Sequence, residues 1–246
     1  MWRDKKGIRE ERKVSGMVLK AWDRLPAFMR VEEVRPYYEI LDRHRRELVL
    51  KRIFDVFVAG ILLFVLAIPM AVMALLIRMD SPGRAFYRQE RVTAYGRKFR
   101  IHKFRTMAVG ADRFGSQVTV RGDTRVTRIG VFLRKYRLDE LPQLIDVLNG
   151  SMSFVGTRPE VPKYVECYTE EMKATLLLPA GITSEASIRY KDEAQLLDGV
   201  EDVDSTYVDK VMPGKMKWNL WALERFGLWN EMKILGRTVA AVIWGD

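Results

Sequence analysis

Residues 56–77 read VFVAGILLFVLAIPMAVMALLI, a run without a single charge. About 20 apolar residues suffice to cross a bilayer, so by length alone this is a spanning helix. Two features oppose a simple span. Pro69 lies inside the run, where it removes a helix hydrogen bond and bends the axis. Basic residues also flank both ends, Arg45, Arg46, Lys51 and Arg52 before and Arg78, Arg84 and Arg88 after. The positive-inside rule then places both ends in the cytoplasm, which a re-entrant helix–break–helix hairpin satisfies. A buried core helix is the competing reading, but it would be unusually long and apolar.

Composition agrees with a folded protein facing an anionic partner. The 246 residues are 48% hydrophobic and 30% charged, with a net charge of +10. Nucleic acid, an acidic membrane surface and a phosphorylated substrate all fit that charge. A lone Cys167 excludes an intrachain disulfide, and His44 and His102, far apart, make a poor zinc site. Residues 1–13 are mostly charged and do not read as a cleavable signal peptide. Residues 1–50 read as a basic helical arm with a thin apolar face at Tyr37, Tyr38, Ile40, Leu41 and Leu48, suited to anionic headgroups or to solvent.

Downstream of the run, Asp80-Ser81-Pro82-Gly83 is turn chemistry, followed by arginines interleaved with Phe86, Tyr87, Tyr95 and Phe99. Residues 99–107, FRIHKFRTM, read as a short strand whose alternation sets Phe99, Ile101, Lys103 and Arg105 on one side. Two cations ending a partly apolar face suit an anion. The loop 108–125 has neither Walker spacing nor a strand–GxGxxG–helix context.

Leu138-Asp139-Glu140-Leu141-Pro142-Gln143-Leu144 sets two carboxylates side by side. Leu141, Leu144, Ile145 and Leu148 form a helical stripe that Asn149-Gly150 stops, and Pro142 fits a first turn. This puts Asp139 near the N-cap, where the helix dipole favours the ionised form for a nucleophile, a metal ligand or an ordinary cap alike. Arg134 and Arg137 lie close by in sequence. In Met152-Ser153-Phe154-Val155-Gly156-Thr157-Arg158-Pro159-Glu160, a tight turn fixes Arg158 as bidentate phosphate recognition requires. Residues 160–178 read as a helix. Trp218, Trp221 and Trp229 among basic residues suit a membrane interface or a core.

Taken in order, Lys51-Arg52-Ile53-Phe54-Asp55, the proline-broken hairpin, and the stretches 99–107, 138–144 and 152–159 closely resemble the bacterial sugar transferases, the monotopic polyprenyl-phosphate phosphoglycosyltransferases. The resemblance covers roughly residues 51–235. It implies an enzyme of the cytoplasmic face of the bacterial inner membrane that moves a sugar 1-phosphate from a nucleotide sugar, UDP being the expected nucleotide, to undecaprenyl phosphate. UMP is released, and a glycan such as exopolysaccharide, capsule or O-antigen is begun on its lipid carrier. Asp139 matches the family's nucleophile and Glu140 the neighbour that helps to hold Mg²⁺. Lys103, Arg134 and Arg158 match positions that hold phosphate, and Arg105 is added to them from its place on the strand.

The chain departs from the family pattern in two places. Pro179-Ala180-Gly181-Ile182-Thr183 lacks the arginine of Arg-Pro-Gly-Ile-Thr, for which Arg189 or Lys191 substitutes, and Trp218-Asn219 stands where relatives show Leu-Asp. The expected fold is α+β, predominantly helical. Its layout is a basic arm (1–50), a re-entrant membrane helix (51–78), a cytosolic catalytic domain (79–214) and an amphipathic interfacial segment (215–246). Expected partners are the nucleotide-sugar donor, polyprenyl phosphate and membrane lipids, with no nucleic acid and a homodimer left open. A membrane-anchored nucleic-acid-binding protein, or an assembly protein that has lost activity, is the alternative.

Overall fold

The computed structural model describes residues 19–111, 123–191, 193–200 and 202–244. The apolar run is shared between two helices. Helix α1 (Arg35–Arg43) leads into α2 (Arg45–Val65), and after Leu66 the chain continues as α3 (Ala67–Asp80). The pair bends by 62°. Pro69 accounts for the place of the bend, because its ring clashes with the carbonyl four residues back, at Val65, and has no N–H to offer it. In the first turn of α3 that missing N–H costs nothing.

No single helix among the described residues is long and apolar enough to cross a membrane. At about 1.5 Å per residue, Val56–Val65 extends roughly 15 Å, half the hydrocarbon thickness of about 30 Å. Phe57, Phe64, Val65, Ile68, Leu75 and Met79 are exposed on this pair, apolar surface that water does not favour.

The remaining elements hang on α2. Strands β1 (Phe86–Thr93) and β2 (Arg97–Phe104) form an antiparallel hairpin with Phe86 opposite Phe104. Then come α4 (Arg128–Lys135), a 3₁₀ turn at Leu138–Glu140, α5 (Gln143–Leu148) and β3 (Met152–Val155). Strand β4 (Ala180–Thr183) runs parallel to β3 and is followed by α6 (Glu185–Arg189). A π-helical turn at Tyr207–Val211 enters α7 (Met212–Glu224), and α8 (Leu228–Trp244) closes the chain. The fold is mixed and mostly helical, as expected.

Residues 160–178 are not the single helix their sequence suggests. They form short turns at Pro162–Val165 and Glu171–Leu177. Tyr164 and Leu176 are buried in one cluster, whereas a continuous helix would hold them about 18 Å apart. Asp139 is likewise not the N-cap of α5. It sits one turn earlier, and Pro142 occupies the cap position.

Leu19, Leu25, Met29, Tyr37 and Leu41 pack with Leu177, Tyr207, Met212 and Met216 in the larger apolar cluster. The described part of the N-terminal segment thus contributes core, not surface alone. Leu220, Leu223 and Ile234 of the last two helices are buried, while Trp229 is 73% exposed. Ala59 of α2 joins Leu144, Val147, Phe154 and Ile234 in a second cluster. Gly156 and Gly181 lie where β3 and β4 touch, and a Cβ on Gly181 would stand 2.2 Å from the Gly156 nitrogen. Only glycine permits that approach.

The polar start of α2 fastens the hairpin to everything else. Asp55 accepts from the Ser153 hydroxyl at 2.7 Å and from the Phe154 N–H at 3.3 Å. Arg52 donates to the carbonyls of Val147 and Leu148, where a cation complements the α5 dipole. Lys51 donates to the Val155 carbonyl at 2.9 Å and pairs with Glu231 of α8. All of these charges are buried. Removing one partner of a buried pair strands the other, typically at 3–5 kcal/mol. Lys51→Met should therefore lower unfolding stability by about 3 kcal/mol, and adding Glu231→Leu should restore most of it. Equal denaturation midpoints for the single variant and the wild type would show the pair to be inert.

Candidate functional site

Arg137 adopts the left-handed conformation, φ 57°, and so turns the chain back after α4 into Leu138–Glu140. Leu138 and Leu141 pack inward against the α3–α4 cluster. Asp139 and Glu140 line a shared cavity, each only 8% exposed. Arg158 grips Glu140 with both terminal nitrogens, one of them 3.0 Å from Oε2, and Lys103 donates to Oε1 at 3.2 Å. The expected tight turn is not formed. After a bend at Gly156 the chain stays paired, with the Gly181 N–H donating to the Thr157 carbonyl at 2.9 Å and the Val92 N–H to the Glu160 carbonyl at 2.9 Å. From this held segment Arg158 also reaches the Ile182 carbonyl at 3.4 Å.

Lys103 is positioned through its neighbour. Asp146 of α5 accepts from the His102 backbone N–H at 2.8 Å and lies 2.7 Å from His102 Nδ1. One buried aspartate therefore sets β2 against the helix that begins just beyond the carboxylate turn. Arg134 of α4 donates to Thr106 Oγ1 at 2.8 Å, and its guanidinium lines the same cavity.

The two carboxylates titrate in opposite directions. Burial pushes Asp139 up, and the adjacent Glu140 adds to this, against the pull of Lys103, Arg134 and Arg158. Burial would raise Glu140 as well, but Arg158 and then Lys103 outweigh it and hold Glu140 well below the usual carboxylate range. Burial lowers the Lys103 ammonium, which Glu140 counters.

Lys103, Arg134, Arg158, Asp139 and Glu140 thus meet, as the sequence leads one to expect. Arg105 and Arg189 are engaged elsewhere. The Arg105 guanidinium holds the carbonyls of Ser81 at 2.7 Å and Pro82 at 2.6 Å, at the end of α3, although the residue lines a second cavity. Arg189 pairs with Glu185 at 2.7 Å and lies over Trp218 at 3.6 Å. Asn219 is buried and lines a different, small cavity with Ser184 and Glu185. Of the loop 108–125, residues 112–122 lie outside the described residues.

Sequence reasoning did not single out a second polar cluster on the far wall. Tyr207 donates to Glu160 Oε1 at 2.5 Å, and Lys215 reaches the Tyr207 hydroxyl at 2.9 Å and Glu193 at 3.0 Å. Glu160 stands two residues beyond Arg158 and was the only member visible from a motif. A π turn carries Tyr207, a distortion frequent at functional sites.

Among the described residues no group of three or more His, Cys, Asp or Glu converges as a metal cage. Mg²⁺ does not need one, since one or two carboxylates plus substrate phosphates usually hold it. Glu140 Oε2 accepts a single hydrogen bond, which leaves it a further lone pair. The donor set fits such an ion.

Two cavities, of about 650 and 880 Å³, meet at Arg91, Lys103, Arg134 and Asp139. Cations surrounding a buried carboxylate at such a junction can hold phosphate while Asp139 attacks it.

Stability should separate the two carboxylates. Asp139→Asn removes a charge that folding buries at a cost, a cost present above its raised pKa and gone once the pH falls below its ordinary value. Glu140→Gln removes stabilisation that is present above the ordinary carboxylate pKa and lost as the pH falls through the depressed one. At pH 7 the first variant should melt at or above wild type, and the second several degrees below it, consistent with roughly 3 kcal/mol. Calorimetry showing both variants shifted in the same direction would contradict this assignment.

The family model described as bacterial sugar transferase matches residues 46–245. The chain is 41% identical over 160 residues to a Bacillus subtilis (strain 168) protein provisionally named undecaprenyl-phosphate N-acetylgalactosaminyl 1-phosphate transferase, covering 64% of this chain and 87% of the relative. It is 35% identical over 199 residues to the UDP-glucose:undecaprenyl-phosphate glucose-1-phosphate transferase of Caulobacter vibrioides, covering 80% and 70%. To the UDP-N-acetylgalactosamine-undecaprenyl-phosphate N-acetylgalactosaminephosphotransferase of Aeromonas hydrophila it is 33% identical over 199 residues, covering 80% of this chain and 44% of the longer relative.

Proposed function

Because the chain belongs to the bacterial sugar transferase family, we propose that it transfers a sugar 1-phosphate from a UDP-sugar to undecaprenyl phosphate and releases UMP. The observation that carries this reading is the buried pair Asp139–Glu140, gripped by Arg158 and Lys103 beside Arg134 at the junction of two cavities.

Asp139 Oδ attacks the sugar-bearing phosphorus, and the bond to the bridging oxygen breaks as UMP departs. An oxygen of undecaprenyl phosphate then attacks the same phosphorus, the bond to Asp139 breaks, and the carboxylate returns. Glu140 does not form the bond. Arg158 and Lys103 both engage it, whereas no hydrogen bond restrains Asp139 among the described residues. Lys103, Arg134 and Arg158 stabilise the charge that builds on the non-bridging oxygens. Mg²⁺ held by Glu140 and the donor's diphosphate would supply further neutralisation of that charge. Burial raises the Asp139 pKa in the substrate-free protein, and Lys103, Arg134 and Arg158 oppose that rise and favour the carboxylate that attacks.

The α2–α3 pair enters the cytoplasmic leaflet and returns, which sets the site at headgroup height. The short reach of each arm, the bend and the basic flanks support this.

Intact-protein mass after mixing with donor alone should show a sugar-phosphate adduct on Asp139 that clears when undecaprenyl phosphate is added. Asp139→Asn should form none and lose turnover by at least about 10³-fold, while Glu140→Gln keeps residual turnover that rises with Mg²⁺. No adduct, together with kinetics that require both substrates at once, would sink the two-step route. Cysteines placed near positions 50 and 80 should both resist labelling from the periplasm, and Pro69→Leu should make the distal one partly reactive. Labelling of either in the unaltered hairpin contradicts the re-entrant topology.

A further inference from the structure

The two cavities that meet at Asp139 differ in chemistry. The larger one begins at Gly83–Arg84, directly after α3, and carries Arg84 and Arg100 on its wall. Among the described residues its only acid is Asp139. The smaller one mixes signs, with Glu160 and Glu193 bound to Lys215 and the Tyr207 hydroxyl.

Displacement at phosphorus runs in line, with the incoming and outgoing oxygens on opposite sides. In the first half-reaction Asp139 takes one apex and the bridging oxygen of departing UMP the other. In the second, the acceptor's phosphate oxygen enters as the Asp139 oxygen leaves, so it must occupy the apex that UMP vacated. UMP and the acceptor therefore use one place in turn. The sugar rides on an equatorial oxygen and extends in another direction.

Resting on the two-step reading above, we infer that the cation-rich cavity is this shared phosphate place and that the mixed cavity holds the sugar, with Glu193, Lys215 and Tyr207 reading its hydroxyl or acetamido groups. A phosphate only accepts hydrogen bonds, and the carboxylates of Glu160 and Glu193 repel it. Sugar hydroxyls both donate and accept, so they match a wall that offers both. The larger cavity is lined by Gly83 and Arg84, just past the end of the hairpin, so that a polyprenyl tail can stay in lipid while its phosphate reaches Asp139.

Full-length protein in lipid nanodiscs, with UDP-glucose, UDP-galactose and their N-acetylated counterparts as donors, tests the assignment. Glu193→Gln should change the ratio of kcat/KM between acetylated and plain donors by about tenfold and leave inhibition by UMP unchanged. Arg100→Ala should raise the KM for undecaprenyl phosphate and the inhibition constant for UMP together, each by about tenfold, and leave the donor ratio unchanged. The assignment is overturned if Glu193→Gln alters UMP inhibition and not the ratio, or if Arg100→Ala affects only one of its two ligands. If wild type releases no UMP from any donor, the reaction reading fails, and equilibrium binding decides the cavities separately. Displacement of farnesyl phosphate by UMP then supports a shared place, and undiminished binding at saturating UMP refutes it.

Discussion

Everything in this molecule depends on three buried charges at the head of an apolar helix. Lys51, Arg52 and Asp55 bind the carbonyl end of α5, the β3 backbone and Glu231. Burying ions is expensive, and it is offset here because each of the three meets a backbone group and Lys51 an opposite charge, although the Arg52 Nε stays buried without a partner. The arrangement fixes where the hairpin leaves the protein. Because β3 leads directly into the extended segment that carries Arg158, the same contacts that hold the hairpin also hold the cation that grips Glu140.

The site separates two neighbouring carboxylates by environment alone. Glu140 is committed to Arg158 and Lys103 and stays ionised well into acid, whereas burial raises Asp139. Adjacent residues of like charge thereby acquire distinct environments, one gripped by two cations and one with no side-chain hydrogen bond among the described residues. The division rests on backbone geometry, since the left-handed Arg137 and the 3₁₀ turn deliver both side chains to one cavity before α5 begins.

Much of this was legible in the sequence where the code is local. The proline-broken run, the strand bearing Lys103, the carboxylate pair and the stretch bearing Arg158 each announce themselves within about ten residues. Cations were harder to sort, because a guanidinium suits a carbonyl as well as a phosphate. Arg105 caps α3 and Arg189 lies on Trp218, and nothing within the strand or turn around them encodes that choice. The cluster of Glu160, Glu193, Tyr207 and Lys215 is assembled across more than 50 residues, so only the fold unites it. Residues 1–50 read as an arm whose apolar face suits headgroups or solvent, yet the apolar side chains of 19–41 join Met212 and Met216 in the core, some from α1 and others from short turns too brief to show a period.

Ala59 lies wholly inside the protein, and Phe54, Val58, Leu62 and Leu63 pack against the same cluster. One side of α2 is thus interior to the catalytic unit, and the opposite side, with Ile53, Phe57 and Phe64, faces outward. For anyone wishing to make a detergent-free form, excising the hairpin would open the core it helps to fill. Recolouring the outward side chains as polar ones, while every inward contact is kept, is the route that the packing allows.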